Sequence, residues 1–248
     1  MKINIVSKDE RYRLVKEQLC DKGLFSQICT KESVDECDFL LLSVKDEFSE
    51  GELIEILSKI NKETVVLCGD NKKIDKLFNG KIIDYSKGDF VIKNAYLTAE
   101  AAVSFLHSIT KDTVRGKKVF ISGYGRIGKE LSKILKALGS RVFVYARRKE
   151  TRSEISDDGM EYSPLEGCIE CDIIINTVPC VIYPIALINR IPKKALIVEL
   201  ASQPYGFENM ERVILASALP GKILPVGAAS VVFDTIYNVL SETEEEAL

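Results

Sequence analysis

The sequence predicts an α/β fold of two doubly wound parallel-sheet domains. Two observations carry this: short apolar runs alternate with amphipathic stretches along the chain, and one long helix from Asn94 to Ile109 separates two such series. The length of 248 residues gives each domain room for its own core.

The first series opens with the strand Ile3 to Val6 and a helix from Arg11 to Cys20. The strand Phe39 to Val44 follows, then a helix from Glu52 to Ile60 and the strand Thr64 to Cys68, closed by Gly69-Asp70. A helix near Ile74 to Phe78 and the strand Ile82 to Tyr85 complete it. Continuous apolar runs suit strands buried on both faces, which is the setting that parallel sheets need. This assigns residues 1–92 to the N-terminal domain. Residues 93–248 form the second domain, and its linking helix at 94–109 keeps Ala95, Ala99, Ala102, Val103, Leu106 and Ile109 at helical spacing. Its strands are expected at Val119 to Ile121, Val142 to Tyr145, Ile173 to Ile175, Leu196 to Val198 and Ile223-Leu224, before a C-terminal helix.

Composition excludes several function classes. With 34 basic and 37 acidic side chains the net charge is −3, which offers no electrostatic footprint for nucleic acid. The apolar stretch from Ile223 to Phe233 has eleven residues, short of the roughly 20 that a membrane span needs. At the N-terminus the apolar run ends at Lys8, Asp9 and Glu10, so no signal-peptide core is expected and the cytoplasm is the expected location. Seven scattered cysteines read as free thiols of a reducing compartment.

The chemistry-bearing motif lies at the start of the second series. The strand Lys118 to Ile121 runs into Gly123-Tyr124-Gly125-Arg126-Ile127-Gly128 and then into a helix with Leu131, Ile134, Leu135 and Leu138 on one face. A Gly-x-Gly-x-x-Gly string is weak alone, but the strand, turn and helix around it are the context of a dinucleotide-binding Rossmann fingerprint. Gly123 permits the tight turn, Gly125 lets the backbone approach a pyrophosphate, and Gly128 lets helix and strand pack closely. The next strand ends in Tyr145-Ala146-Arg147-Arg148-Lys149, with no carboxylate for a ribose 2′-hydroxyl before Glu150. Arg147 and Arg148 therefore favour the 2′-phosphate of NADP over NAD. The loops Asn176-Thr177-Val178-Pro179 and Leu200-Ala201-Ser202-Gln203-Pro204 leave strand ends of the same sheet and are expected to border the nicotinamide end. Lys222 is a further candidate for that crevice.

Two other signals are set aside. Cys168 and Cys171 precede a strand, whereas a redox Cys-x-x-Cys opens a helix, and a zinc site would need two more ligands, so no metal is expected. His107, the sole histidine, falls inside the linking helix and reads as a helix-face residue.

The segment from Asn94 to Leu240 resembles the dipicolinate synthase A-subunit family of endospore-forming bacteria. The blocks that carry the resemblance are Thr98-Ala99-Glu100, Gly123 to Gly128, Ala146-Arg147, Asn176 to Pro179, Leu200 to Pro204 and Leu219-Pro220-Gly221. Asp9 and Arg11 match the N-terminal region more loosely, and Ser7-Lys8, Tyr205 and Gly227-Ala228-Ala229 depart from the family pattern. The resemblance implies a flavodoxin-like N-terminal domain, a substrate cleft between the domains, and NADP-linked oxidation of a dihydrodipicolinate-type dicarboxylate to dipicolinate. It also implies Asp9, Arg11, Thr98, Ser202 and Lys222 as substrate-cleft residues, and identifies no catalytic base. A homo-oligomer and a second synthase subunit are both compatible with the chain. Two alternatives stay open: an NADP-dependent reductase of another small carboxylate, and a catalytically silent nucleotide-binding subunit or redox sensor.

Overall fold

The structure, a computed structural model, describes residues 1–45, 47–70 and 72–246, and for residues 244–246 the backbone alone. The chain forms two compact units, one of residues 1–94 together with the C-terminal segment from Pro225, the other Ala95–Leu224.

In unit 1 the strands are β1 (Lys2–Val6), β2 (Phe25–Ile28), β3 (Phe39–Leu42), β4 (Val65–Cys68) and β5 (Ile82–Asp84), with helices α1 (Arg11–Asp21) and α2 (Glu50–Leu57) between them. All pairings are parallel, in the order β2-β1-β3-β4-β5, the flavodoxin-like arrangement. The period of two sorts the strands onto two cores. Ile3, Ile5, Phe39, Leu41, Val65 and Leu67 face α1, while Leu40, Leu42, Val66 and Cys68 face α2. Ser49 starts α2 with a reciprocal capping box to Glu52.

Unit 2 begins within the long helix α3 (Asp89–Thr110). There follow β6 (Lys118–Ser122), α4 (Arg126–Ala137), β7 (Arg141–Tyr145), α5 (Lys149–Asp157), β8 (Glu161–Tyr162) and β9 (Ile173–Asn176). The short helix α6 (Ile185–Ile188), β10 (Leu196–Glu199), β11 (Val213–Leu215) and α7 (Leu219–Ile223) complete it. The parallel sheet runs β11-β10-β9-β6-β7-β8. Counted within the unit this is the Rossmann order, with its switch point between β6 and β9. Val119, Ile121, Val144 and Ile175 pack against α3 and α4, and Phe120, Ile174 and Ile197 pack on the opposite side.

Three sequence assignments change. The C-terminal helix α8 (Pro225–Glu246) was expected with the second domain, but Ala229, Val232, Ile236 and Leu240 bury against α1 and the first sheet. A helical apolar stripe fits either sheet, so its spacing alone does not choose. Ile223-Leu224 is not a strand, because Pro220 sits in the first turn of α7 and its fixed φ favours the helix start. The helix near Ile74 to Phe78 shrinks to a single 3₁₀ turn at Ile74–Lys76. Among the described residues no helix is long and apolar enough to cross a membrane.

Candidate dinucleotide site

The glycine motif forms the turn between β6 and α4. Gly123 adopts φ +99°, and a Cβ there would fall 2.4 Å from Thr177 Oγ1. Its N–H donates to the Tyr145 carbonyl at 2.9 Å, which ties the turn to β7. A Cβ on Gly128 would fall 2.2 Å from the Gly123 carbonyl oxygen, so the first turn of α4 lies directly on the glycine turn. Gly125 differs from both. It is the N-cap of α4, and a Cβ there would meet no atom within 4 Å. The space it opens is a pocket of about 230 Å³ whose lining includes Tyr124, Gly125, Ala146, Arg147, Val178 and Ile182, together with Arg148, Thr151 and Cys180. Among the described residues no side chain caps α4, so its first amides and positive dipole end remain open to an anion.

Arg147 and Arg148 are exposed beside this pocket. Among the described residues neither guanidinium ion-pairs or hydrogen-bonds, and Arg148 is the N-cap of α5. Arg152, not singled out from the sequence, braces the same turn from below. Its Nε donates to the Ala146 carbonyl at 3.1 Å and its second amino group to the Arg147 carbonyl at 3.2 Å, while the guanidinium rests 5.0 Å from the Tyr162 ring. One arginine thus holds the loop, and two are left for a ligand.

The loop after β9 divides its roles. Val178 lines the pocket, Thr177 Oγ1 donates to the Ser122 carbonyl at 2.8 Å, and Pro179 is exposed. Asn176, expected to face the cofactor, is turned inward and fully buried. Its Nδ2 donates to Glu199 Oε1 at 2.8 Å and to the Val178 carbonyl at 2.9 Å, and its Oδ1 accepts from Ser122 Oγ at 2.8 Å. All of its polar capacity is in use there.

Glu199 and Ser122 complete a buried polar row behind the pocket that sequence reasoning missed. In the sheet, Ser122 pairs with Asn176 and Asn176 with Glu199, so one polar residue ends each of three neighbouring strands at one level. That recurrence after Phe120-Ile121, Ile174-Ile175 and Ile197-Val198 was a usable signal. Glu199 accepts from the Ala201 N–H at 2.8 Å and the Gly206 N–H at 2.7 Å. Burial raises its carboxyl above the usual value, against the opposing pull of Gly206, Asn176 and Ala201.

The substrate-cleft candidates are distributed between the units. Thr98 on α3, Ser202 after β10 and Lys222 on α7 belong to unit 2, with Ser202 and Lys222 exposed. Ala201 is partly buried next to Ser202. Asp9 and Arg11 belong to unit 1, just beyond the end of β1. They pair with each other through Arg11 Nε, 2.8 Å from Asp9 Oδ2, and through a second contact from the guanidinium. Beside them Tyr12 and Tyr85 bond through their hydroxyls. Tyr85 donates to the Leu42 carbonyl, so the shared proton comes from Tyr12, which itself accepts from the Val44 N–H. Cys168 and Cys171 are buried, and desolvation pushes their thiols up to about 12 and about 11, away from the thiolate that redox chemistry needs. His107 is exposed on α3.

Comparisons with known proteins bear on this site. Residues 98–191 match the NAD binding domain of the D-isomer specific 2-hydroxyacid dehydrogenases, so the segment holding the glycine turn is a nicotinamide-dinucleotide domain. The dipicolinate synthase A-subunit of Bacillus subtilis (strain 168) is 29% identical over 185 residues, 71% of this chain. The chain is a homologue of the dipicolinate synthase A-subunit. The alignment with the Bacillus subtilis relative spans 60% of that protein's length. Crystal structures of the A-subunits from Bacillus subtilis and Bacillus halodurans superpose with TM-scores of 0.81 and 0.79, each at 22% identity. The first superposition covers 99% of this chain and 97% of the other, and the second 97% of each. Both structures share the two doubly wound domains with this homologue.

Proposed function

We propose that this homologue is an NADP-dependent oxidoreductase that oxidises a dihydrodipicolinate-type ring dicarboxylate to dipicolinate. The observation that carries the cofactor part of the reading is the pair of guanidiniums, Arg147 and Arg148, unpartnered among the described residues, at a dinucleotide pocket whose β7 end has no carboxylate, while the similarity to the A-subunit supports the substrate class. The residues fit the cofactor. Gly125 leaves space where a pyrophosphate approaches, the uncapped start of α4 offers amide donors, and the two arginines supply forked donors to a 2′-phosphate. When bound, NADP⁺ supplies a hydride acceptor at C4 of its nicotinamide.

The chain's own groups then have to orient the substrate and balance its charge. Ser202 and Thr98 offer hydroxyls, Lys222 offers an ammonium, and the Asp9-Arg11 pair keeps a guanidinium charged in the first unit. Aromatisation of the ring provides the driving force, so the protein's share is positioning rather than covalent chemistry. Because the relative is itself one subunit of a synthase, a second synthase subunit is part of this reading, as is pairing with another copy of the chain.

An NADP⁺ reduction assay tests this with enzymatically generated 4-hydroxytetrahydrodipicolinate, which loses water to give the dihydro ring acid before that acid gives up a hydride to NADP⁺ and a proton to solvent, run with and without a second subunit. Growth of reduced-nicotinamide absorbance is the expected result. Binding of NADP⁺ with no turnover under either condition would favour the silent nucleotide-binding reading, and turnover with another small carboxylate would favour the reductase.

A further inference from the structure

We infer that Glu199 is a positioning residue that couples the loop after β10 to two walls of the dinucleotide pocket, one through Asn176 and one through Gly206. The inference rests on the dinucleotide reading for its consequence, but the coupling itself is geometric. Glu199 is 1% exposed and does not line the pocket. Every hydrogen bond made to its carboxylate is donated: by Asn176 Nδ2 at 2.8 and 3.0 Å, by the Ala201 N–H at 2.8 Å and by the Gly206 N–H at 2.7 Å. An ionised carboxylate accepts all of these without conflict, whereas a carboxamide would present its own NH₂ to one of the donors.

The first path follows from how an asparagine is oriented. Because Nδ2 is drawn to Glu199, Oδ1 must point the other way, where it accepts from the Val178 N–H at 3.1 Å. The same Nδ2 also donates to the Val178 carbonyl at 2.9 Å. Val178 is a pocket wall. The second path runs through Gly206, whose carbonyl accepts from the Ile182 and Tyr183 N–H groups at 2.9 Å each. Ile182 lines the pocket as well. The two paths touch, since a Cβ on Gly206 would lie 2.3 Å from Asn176 Nδ2. Only a glycine lets that backbone lie against the carboxamide.

The coupling is read first in the wild-type protein by amide hydrogen exchange. The N–H groups of Val178, Ile182, Ala201 and Gly206 are expected to open as one cooperative set with a common protection factor. Independent opening of the Val178 amide would overturn the inference. The second arm uses Glu199→Gln and, retaining the charge, Glu199→Asp. In Glu199→Gln, exchange at Val178 is expected to rise although residue 199 does not touch it. The Kd for NADPH is expected to rise about tenfold, equivalent to about 1.4 kcal/mol. Glu199→Asp is expected to recover part of that loss. A role confined to local stability would lower the melting temperature while leaving Val178 exchange and the Kd of the folded variant unchanged, and that result refutes the coupling. If the wild-type chain binds no dinucleotide, the proposed function fails while the exchange measurement still decides the coupling.

Discussion

Asn176 holds Val178 by both of its backbone groups, accepting from the N–H at 3.1 Å and donating to the carbonyl at 2.9 Å. A single buried side chain thereby sets one wall of the pocket. Replacing it with aspartate turns the donor toward Glu199 into a second carboxylate, and two acids at hydrogen-bond distance retain a proton between them. The folded Asn176→Asp variant would then bind more protons than its unfolded chain above the usual carboxylate range. Stability therefore falls as pH rises through that window. Denaturant melts at pH 5 and pH 8 are expected to show a deficit against wild type of roughly 1–3 kcal/mol at the lower pH, from the donor lost to the Val178 carbonyl, and a larger one at the higher pH. A deficit independent of pH would contradict this.

The three glycines of the turn separate binding from folding. Gly125→Val places its methyl groups in open pocket space, so the fold is expected to keep its melting temperature while calorimetry finds no dinucleotide binding. Gly128→Ala is expected to do the opposite first, because its Cβ meets the Gly123 carbonyl oxygen at 2.2 Å. The overpacking should cost roughly 1–3 kcal/mol in a thermal melt. Unchanged affinity in a folded Gly125→Val protein would remove the dinucleotide site.

Much of the fold was legible because the central strands are unbroken apolar runs, from Phe39 to Leu42 in the first sheet and Ile173 to Ile175 in the second. The strands that escaped detection, β2, β8 and β11, all lie on sheet edges. Edges need no continuous apolar run: Phe25 and Leu215 are exposed, and β8 consists only of Glu161 and Tyr162. At the site, the backbone requirement of the glycine turn and the missing acid at Arg147 could be read in order along the chain. The Ser122-Asn176-Glu199 row left a weaker trace, one polar residue closing each of three apolar runs, because its members lie far apart in sequence and meet only through strand register.

The Asp9-Arg11 pair makes a prediction in acid. Burial alone raises the Asp9 carboxyl, but the hydrogen bonds from Arg11 outweigh it and hold the group below its ordinary value of 3.8. A carboxylate lowered in the folded state contributes stability above its unfolded pKa and loses it as pH falls through the folded one. Asp9→Asn is expected to lose roughly 1–3 kcal/mol at neutral pH, since it leaves a poorly exposed guanidinium without its charge partner. The difference from wild type should shrink below pH 3.8, and a constant difference down to pH 2 would exclude Asp9 as the group responsible.

Cofactor choice is the sharpest test of the site. NAD and NADP differ only in the 2′-phosphate, so a residue that changes their ratio without changing NAD affinity must lie at that group. Arg147 and Arg148 line the pocket without partners among the described residues, and the Arg152 bonds to the Ala146 and Arg147 carbonyls fix the turn that presents them. A charge-assisted hydrogen bond contributes roughly 1.5–3 kcal/mol, and exposure with salt screening draws the value toward the lower end. NADPH is therefore expected to bind about tenfold or more tightly than NADH, since tenfold corresponds to about 1.4 kcal/mol. Arg147→Ala should erase most of that margin and leave NADH affinity nearly unchanged, whereas Arg152→Ala should weaken both cofactors together by loosening the turn. Titrations at two salt concentrations add a second criterion, because a phosphate contact fades with ionic strength. Equal wild-type affinities for the two cofactors at moderate salt would show that both arginines face solvent and would leave the NADP assignment without support.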